Sequence, residues 1–220
     1  MTSVWRTRIK FCGITRAEDA AAAIALGVDA LGFILVPESP RCLTIEVAAA
    51  IRKTLPPFVA AVVLMRNSEE ARVHHVIERL RPDLLQFHGE ESAEFCRRFN
   101  WPYLKAVAMQ DEPRSLAELA AEYSDAKGLL LDGHGAGGLG GQGKTFDWTR
   151  ATADAGIPLL LAGGLKPENV AAAILAARPY AVDVSSGIEA APGFKDSGKM
   201  QDFVREVRLA DARADTDSRN

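Results

Sequence analysis

Eight short apolar runs, rich in leucine and β-branched residues, recur along the chain, each followed by a polar or glycine-rich break and then a helical pattern. They fall at residues 8–12, 30–35, 58–64, 83–87, 103–108, 128–132, 158–162 and 181–185, with starts about 20 to 30 residues apart. An interval of that length holds one helix. Strands joined by crossover helices run parallel, because a parallel pair needs a dozen or more residues to bring the chain back. Eight such units are what a closed barrel requires, so the expected fold class is α/β: a single-domain (β/α)8 TIM barrel over 1–212. Residues 213–220 form a polar tail expected to be disordered. A doubly wound open sheet is the structural rival, since alternation alone does not show closure.

The first unit is the stretch Arg8–Thr15, RIKFCGIT. Side chains alternate across a strand, so Arg8, Lys10 and Cys12 share one face while Ile9 and Phe11 take the other. Cys12 thus ends a strand facing inward. Thr15 with Glu18 has the spacing of a capping box for a helix over Ala17–Leu26, stopped by Gly27. Other helix starts are read at Thr44, at Ser68, at Ser115 with Glu118, at Asp147 before WTRATADA, and at Pro167. The helix after Ser68 should end before Arg81-Pro82, and the last helix should run from Met200 to about Ala212.

Charge and cysteine usage narrow the partners. With 26 basic against 29 acidic residues there is no basic footprint, so nucleic acid is disfavoured. No apolar run approaches the roughly 18 residues of a membrane span, and MTSVWRTR lacks the apolar core of a signal peptide. Three cysteines without metal spacing fit a reducing cytoplasm. The sequence leaves the oligomeric state open between monomer and homodimer.

Four connections at C-terminal strand ends carry unusual residues: FCGIT at 11–15, QFHG at 86–89, LAGGLKPENV at 161–170 and DVSSGIE at 183–189. That rim is where barrels place their chemistry. The last two follow runs seven and eight, where backbone N–H groups commonly bind phosphate, and Gly163, Gly164, Ser185, Ser186 and Gly187 suit that task. The bland alternative is that these glycines merely make tight turns. Asp132, ending GLLLD on the inward parity, is a candidate proton donor, or else a cap or lid anchor. Cys12 is a weaker candidate for chemistry, since cysteine often behaves as a small buried hydrophobe. Arg41, after Ser39-Pro40, could grip a carboxylate bidentately. His88 stands on the rim, where it could instead cap a turn; Cys42 and Cys96 read as packing, and His74 and His75 as surface. Lys10 and Asp183 each lie two residues before a rim residue on neighbouring strands of a closed barrel, so both face inside and should pair.

The longest connection, DGHGAGGLGGQGK at 132–144, contains seven glycines. Its residues 138–145 satisfy the phosphate-loop pattern GxxxxGK[ST]. A nucleotide-binding loop should leave its strand directly and run into a helix; here Gly138 lies six positions past Asp132, and Phe146-Asp147 follows Thr145. A mobile lid over the rim is the better reading.

Together KFCGIT, GFIL with SPR, QFHG, LLLD, GGQGKTFDW, AGGLKPENV and DVSSGIE with PGFKD resemble the phosphoribosylanthranilate isomerase family, in order from Lys10 to Asp196. Gly133 stands where the family usually has a small hydroxyl residue, and Gln142 where serine or threonine is common; both departures bear on the lid's contacts. The resemblance implies a (β/α)8 barrel performing an Amadori rearrangement on a small-molecule phosphoribosyl substrate, with no metal or organic cofactor. It implies Cys12 as general base, Asp132 as general acid, Arg41 on the anthranilate carboxylate, Asp183 orienting the sugar, and phosphate on the loops after strands seven and eight. A basic Cys12 would need its thiolate favoured, by Lys10 and by the nearby helix N-terminus. Two rivals remain at this level: a barrel that binds a phosphosugar without catalysis, and an isomerase of a phosphoribosyl imidazole intermediate. The latter barrels usually carry two acids where this chain has Cys12 and Asp132.

Overall fold

A computed structural model describes residues 6–133, 145–151 and 155–217. Eight parallel strands close into a barrel in chain order: β1 (Arg8–Cys12), β2 (Ala30–Ile34), β3 (Ala60–Met65), β4 (Leu84–Phe87), β5 (Tyr103–Ala108), β6 (Gly128–Asp132), β7 (Leu159–Leu161) and β8 (Ala181–Val184). Pairing of β8 with β1, Lys10 opposite Asp183, completes the ring and rules out the open sheet. The helices are α1 (Ala17–Ala25), α2 (Ile45–Arg52), α3 (Glu70–Leu80), α4 (Ala93–Arg97), α5 (Leu116–Glu122), α6 (Pro167–Ala177) and α7 (Ser197–Asp217). None of them is long and apolar enough to cross a membrane among the described residues.

Strand parity explains the layers. One set of strand side chains, including Phe11, Phe33, Val63, Met65, Phe87 and Leu131, joins buried helix residues such as Ala20, Val73, Leu119 and Phe203 in the outer core. The alternate set, Val62, Leu104, Ala106, Leu130, Leu160, Ala162 and Ala181, forms a separate cluster made of strand and strand-end residues alone, which fills the barrel. Burying each large side chain contributes about 1.5–3 kcal/mol. Strands covered on both faces read as nearly continuous apolar runs, which is why they stand out in the sequence.

Several local expectations are corrected. The capping box at the first helix does not form: Arg16 is the N-cap of α1 without a side-chain bond, and Thr15 Oγ1 donates instead to the carbonyl of Gly193. Glu69, not Ser68, precedes α3. Residues Trp148–Ala151 form a 3-10 turn where the start of an α-helix was expected, and 152–154 of that expected helix lie outside the described residues. The last helix starts three residues before Met200 and continues through Asp217, into the expected tail. Cys42 is exposed rather than packed, while Cys96 is buried as expected. The cap at Thr44 and the capping box at Ser115 with Glu118 form as read.

Candidate active site

The C-terminal rim holds a cavity lined by Cys12, Arg41, Gln86, His88, Asp132, Gly163, Gly164, Asp183, Ser185 and Ser186, with an apolar wall that includes Ile34, Val36 and Leu64. Every site residue expected from the sequence is there except Gly187. Gly187 acts one layer back. A Cβ on it would stand 2.0 Å from the carbonyl oxygen of Leu165, so its bare backbone is what lets the loop after β8 pack against the loop after β7. The phosphate-binding pattern on 138–145 and the lid over 133–144 lie, apart from Gly133 and Thr145, outside the described residues.

Gly163 and Gly164 both adopt left-handed backbone, at φ 76° and 65°, which only glycine takes without strain. Asn169, at the start of α6, pins this loop by donating from Nδ2 to the Gly164 carbonyl at 2.9 Å, while its Oδ1 accepts from Lys166 N at 2.8 Å. On the facing loop the hydroxyl of Ser185 is buried with no hydrogen-bond partner among the described residues. A buried polar atom of that kind is costly unless a ligand satisfies it. Adjacent glycine-bearing loops that line the cavity, with a spare hydroxyl donor, are chemically suited to a phosphate.

Across the cavity, Gln86 Nε2 lies 2.9 Å from His88 Nδ1. With the amide nitrogen donating, Nδ1 accepts and the imidazole proton sits on Nε2. That nitrogen is 3.4 Å from Oδ2 of Asp132, so imidazole and carboxyl act as neighbours on the rim. Asp132 is buried, as is Leu130 before it on the inward face.

Below Cys12, Lys10 Nζ donates to Asp183 Oδ1 at 2.9 Å, the expected pairing. The Cys12 thiol sits above this pair. Burial pushes its pKa up and dominates, while the Lys10 ammonium and, more weakly, Lys195 pull it down. The expected thiolate is therefore not the resting form, because complete desolvation outweighs the nearby cations. Burial likewise pulls the Lys10 ammonium down, but Asp183 overcomes it and holds Lys10 above its ordinary value.

Arg41 is present at the rim, yet its bidentate bond goes to a residue given no role from the sequence. Nε donates to Glu189 Oε1 at 2.8 Å and Nη2 to Oε2 at 2.7 Å. Glu189 opens a hairpin of β9 (Glu189–Ala191) and β10 (Phe194–Lys195), and Lys195 Nζ meets Glu189 Oε1 at 2.9 Å. Both residues stand inside motifs quoted above, DVSSGIE and PGFKD. The signal available was a pair of opposite charges in an otherwise apolar loop.

A sequence model of the N-(5′-phosphoribosyl)anthranilate isomerase family matches residues 9–206. The isomerase of Stenotrophomonas maltophilia (strain R551-3) is 52% identical over 210 residues, covering 95% of this chain and 96% of its own. The crystal structure of the Thermotoga maritima phosphoribosyl anthranilate isomerase superposes with a TM-score of 0.84 at 40% identity, over 92% of this chain and 99% of that one. A third relative, solved in complex with reduced 1-(o-carboxyphenylamino)-1-deoxyribulose 5-phosphate, gives 0.80 at 37% identity, with 92% and 99% covered. Carrying a thiol and a carboxyl on one barrel rim, beside two glycine-rich loops, this chain belongs to the N-(5′-phosphoribosyl)anthranilate isomerase family.

Proposed function

We propose that this protein converts N-(5-phosphoribosyl)anthranilate to 1-(2-carboxyphenylamino)-1-deoxyribulose 5-phosphate, the Amadori step of tryptophan biosynthesis, with Cys12 as general base and Asp132 as general acid. The observation that carries the reading is one cavity lined by a thiol, a carboxyl, an arginine and two facing loops suited to phosphate. Asp132 protonates the furanose ring oxygen, and the amine lone pair opens the ring to an iminium. Cys12, as thiolate, then removes the proton from C2′. The resulting enolamine tautomerises to the ketone.

These two steps leave a thiol and a carboxylate, the combination that burial of Cys12 favours. Resetting the pair releases the proton of the Cys12 thiol to water and takes one from water onto Asp132, beside which His88 Nε2 stands at 3.4 Å. Substrate phosphate lies between Gly163–Gly164 and Ser185–Ser186. The anthranilate carboxylate meets the edge of Arg41 that Glu189 leaves open. Asp183 is committed to Lys10 through Oδ1, so its part in orienting the sugar falls to the remaining oxygen.

A non-catalytic binder has no use for Cys12 with Asp132 on one rim, and an imidazole-intermediate isomerase would be expected to carry a second acid in place of the thiol. Substrate fluorescence tests the reading: purified protein should discharge the signal of phosphoribosylanthranilate, and a folded preparation that leaves it unchanged overturns the proposal. Three free cysteines suit a reducing cytoplasm.

A homodimer is the proposed assembly. A Thermotoga maritima relative, 35% identical with a TM-score of 0.79, was solved as monomers generated from a dimeric isomerase. In this chain Phe58 stands fully exposed at φ 72° between β3 and α2, an apolar tip suited to a second copy. Sedimentation should give a dimer that Phe58→Ser dissociates; a monomeric wild type removes the assembly.

A further inference from the structure

Arg41 has four rotatable side-chain bonds, yet its guanidinium is held in one plane. Glu189 takes Nε and Nη2 at 2.8 and 2.7 Å, and both side chains are buried. Glu189 is itself fixed: Oε1 also accepts from Lys195 Nζ at 2.9 Å and from Gly193 N at 3.3 Å, and its carbonyl accepts from Lys199 Nζ at 2.7 Å. Lys195 Nζ donates in turn to the carbonyl of Ser185 at 3.1 Å, on the loop proposed for phosphate. Arg41 Nη1 makes no hydrogen bond among the described residues, and Arg41 lines the cavity.

The charges of this buried group do not cancel. Burial pulls the Lys195 ammonium below its ordinary value and Glu189 opposes that; with Lys195 charged, Arg41 and Lys195 bring two positive charges against one negative on Glu189, a single positive charge beside the cavity. A ligand carboxylate arriving on the Nη1 edge would neutralise it. Buried charge without a partner is unfavourable, so the group selects for an anion at this point and against an uncharged ring substituent.

We propose that Glu189 is a positioning residue that makes the site specific for a carboxylate-bearing substrate: it aligns Arg41 before the ligand arrives and leaves one unneutralised positive charge for the ligand to match. The inference rests on the proposed role of Arg41 as the carboxylate clamp. Without Glu189 the guanidinium must be ordered at the moment of binding, and the geometric match of a planar fork to a carboxylate is lost.

The test compares two ligands: reduced 1-(o-carboxyphenylamino)-1-deoxyribulose 5-phosphate and the same compound lacking the ring carboxylate. Their Kd ratio is measured on wild type, on Glu189→Gln and on Glu189→Gln/Lys195→Met. The double variant keeps one positive charge and removes the ammonium that the single variant leaves without its carboxylate, so it carries the test if the single variant folds poorly. The wild type should prefer the carboxylated ligand at least tenfold, and the double variant, which keeps the single positive charge and loses only the alignment, should lose about tenfold of that preference; Glu189→Gln, whose charge rises to two, should retain more of it. Loosening of the fold alone would weaken both ligands together and leave the ratio unmoved. A wild-type ratio retained by the folded double variant overturns the role of Glu189 while leaving Arg41 as clamp. No preference in the wild type overturns the clamp itself, and this inference with it.

Discussion

Lys10 and Asp183 stand opposite one another on the first and last strands and share a 2.9 Å ion pair inside the barrel, at the seam where it closes. Both side chains are almost wholly buried, so the pair has lost its hydration and is held by mutual attraction. Breaking such a pair by removing one partner typically costs about 3–5 kcal/mol. Its second effect is on the thiol two residues further along β1. The ammonium favours the thiolate and the carboxylate disfavours it, with Lys10 the stronger of the two.

Lys10→Met should therefore make Cys12 a weaker acid whichever way Asp183 responds, since a charged Asp183 opposes the thiolate and a neutral one gives it no help. Alkylation by iodoacetamide, followed in a Cys42→Ser background that removes the exposed thiol, should be on the order of tenfold slower at a given mildly alkaline pH. Alkylation as fast as in the parent would show that Lys10 does not control the thiol.

Gly187→Ala should damage phosphate binding without touching the ligand cavity. The added methyl would meet the Leu165 carbonyl oxygen at 2.0 Å, and backbone on both sides must move apart. Overpacking of this kind costs about 1–3 kcal/mol. Inhibition by inorganic phosphate should weaken roughly tenfold, the lower end of that range expressed as affinity. An unaltered inhibition constant would mean that the two loops bind phosphate independently of their contact.

The strands were legible because burial on both faces makes them apolar throughout, and each observed strand lies within two residues of its expected bounds. Parity along two of them was enough to place Cys12 on the inward face and to join Lys10 to Asp183. Short elements were not legible in the same way. The strands Glu189–Ala191 and Phe194–Lys195 and the helix Ala93–Arg97 are too brief to show a period, so the partner of Arg41 went unassigned. Thr15 failed as a cap because Gly193, distant in sequence, offered its hydroxyl a carbonyl. The thiol's resting state depends on desolvation by the closed barrel, which no local pattern of charges reveals.

Stability should fall on the alkaline side. Burial pushes the Cys96 thiol from 9.0 up to about 12 and the Tyr123 phenol from 10.0 up to about 12. Between the unfolded and folded values the native state holds protons that the unfolded chain has released, so stability declines as pH rises from about 9 towards 12. Each such group contributes a slope of about 1.4 kcal/mol per pH unit within its window. Urea midpoints between pH 8.5 and about 10.5 should drop less steeply in Cys96→Ala than in wild type. Equal slopes would show that this thiol is not part of the linkage.

Cys12→Ser and Asp132→Asn should each slow turnover by at least the ~100-fold typical of one positioned acid or base, but at different bonds. Serine fills the place of the thiol, yet burial that already hinders ionisation of the thiol makes an alkoxide far less accessible. Removal of the C2′ proton then limits the rate. Asparagine keeps the shape of Asp132 beside the His88 imidazole 3.4 Å away, but it has no acidic proton for the furanose oxygen. Ring opening becomes limiting instead. Substrate deuterated at C2′ separates the two cases, because only the first breaks the labelled bond in the slow step. Cys12→Ser should show a full primary isotope effect, and Asp132→Asn one close to unity. The reverse pattern would exchange the two roles. Near-normal turnover in Cys12→Ser would reduce the thiol to a packing group, leaving His88 as the next base to test.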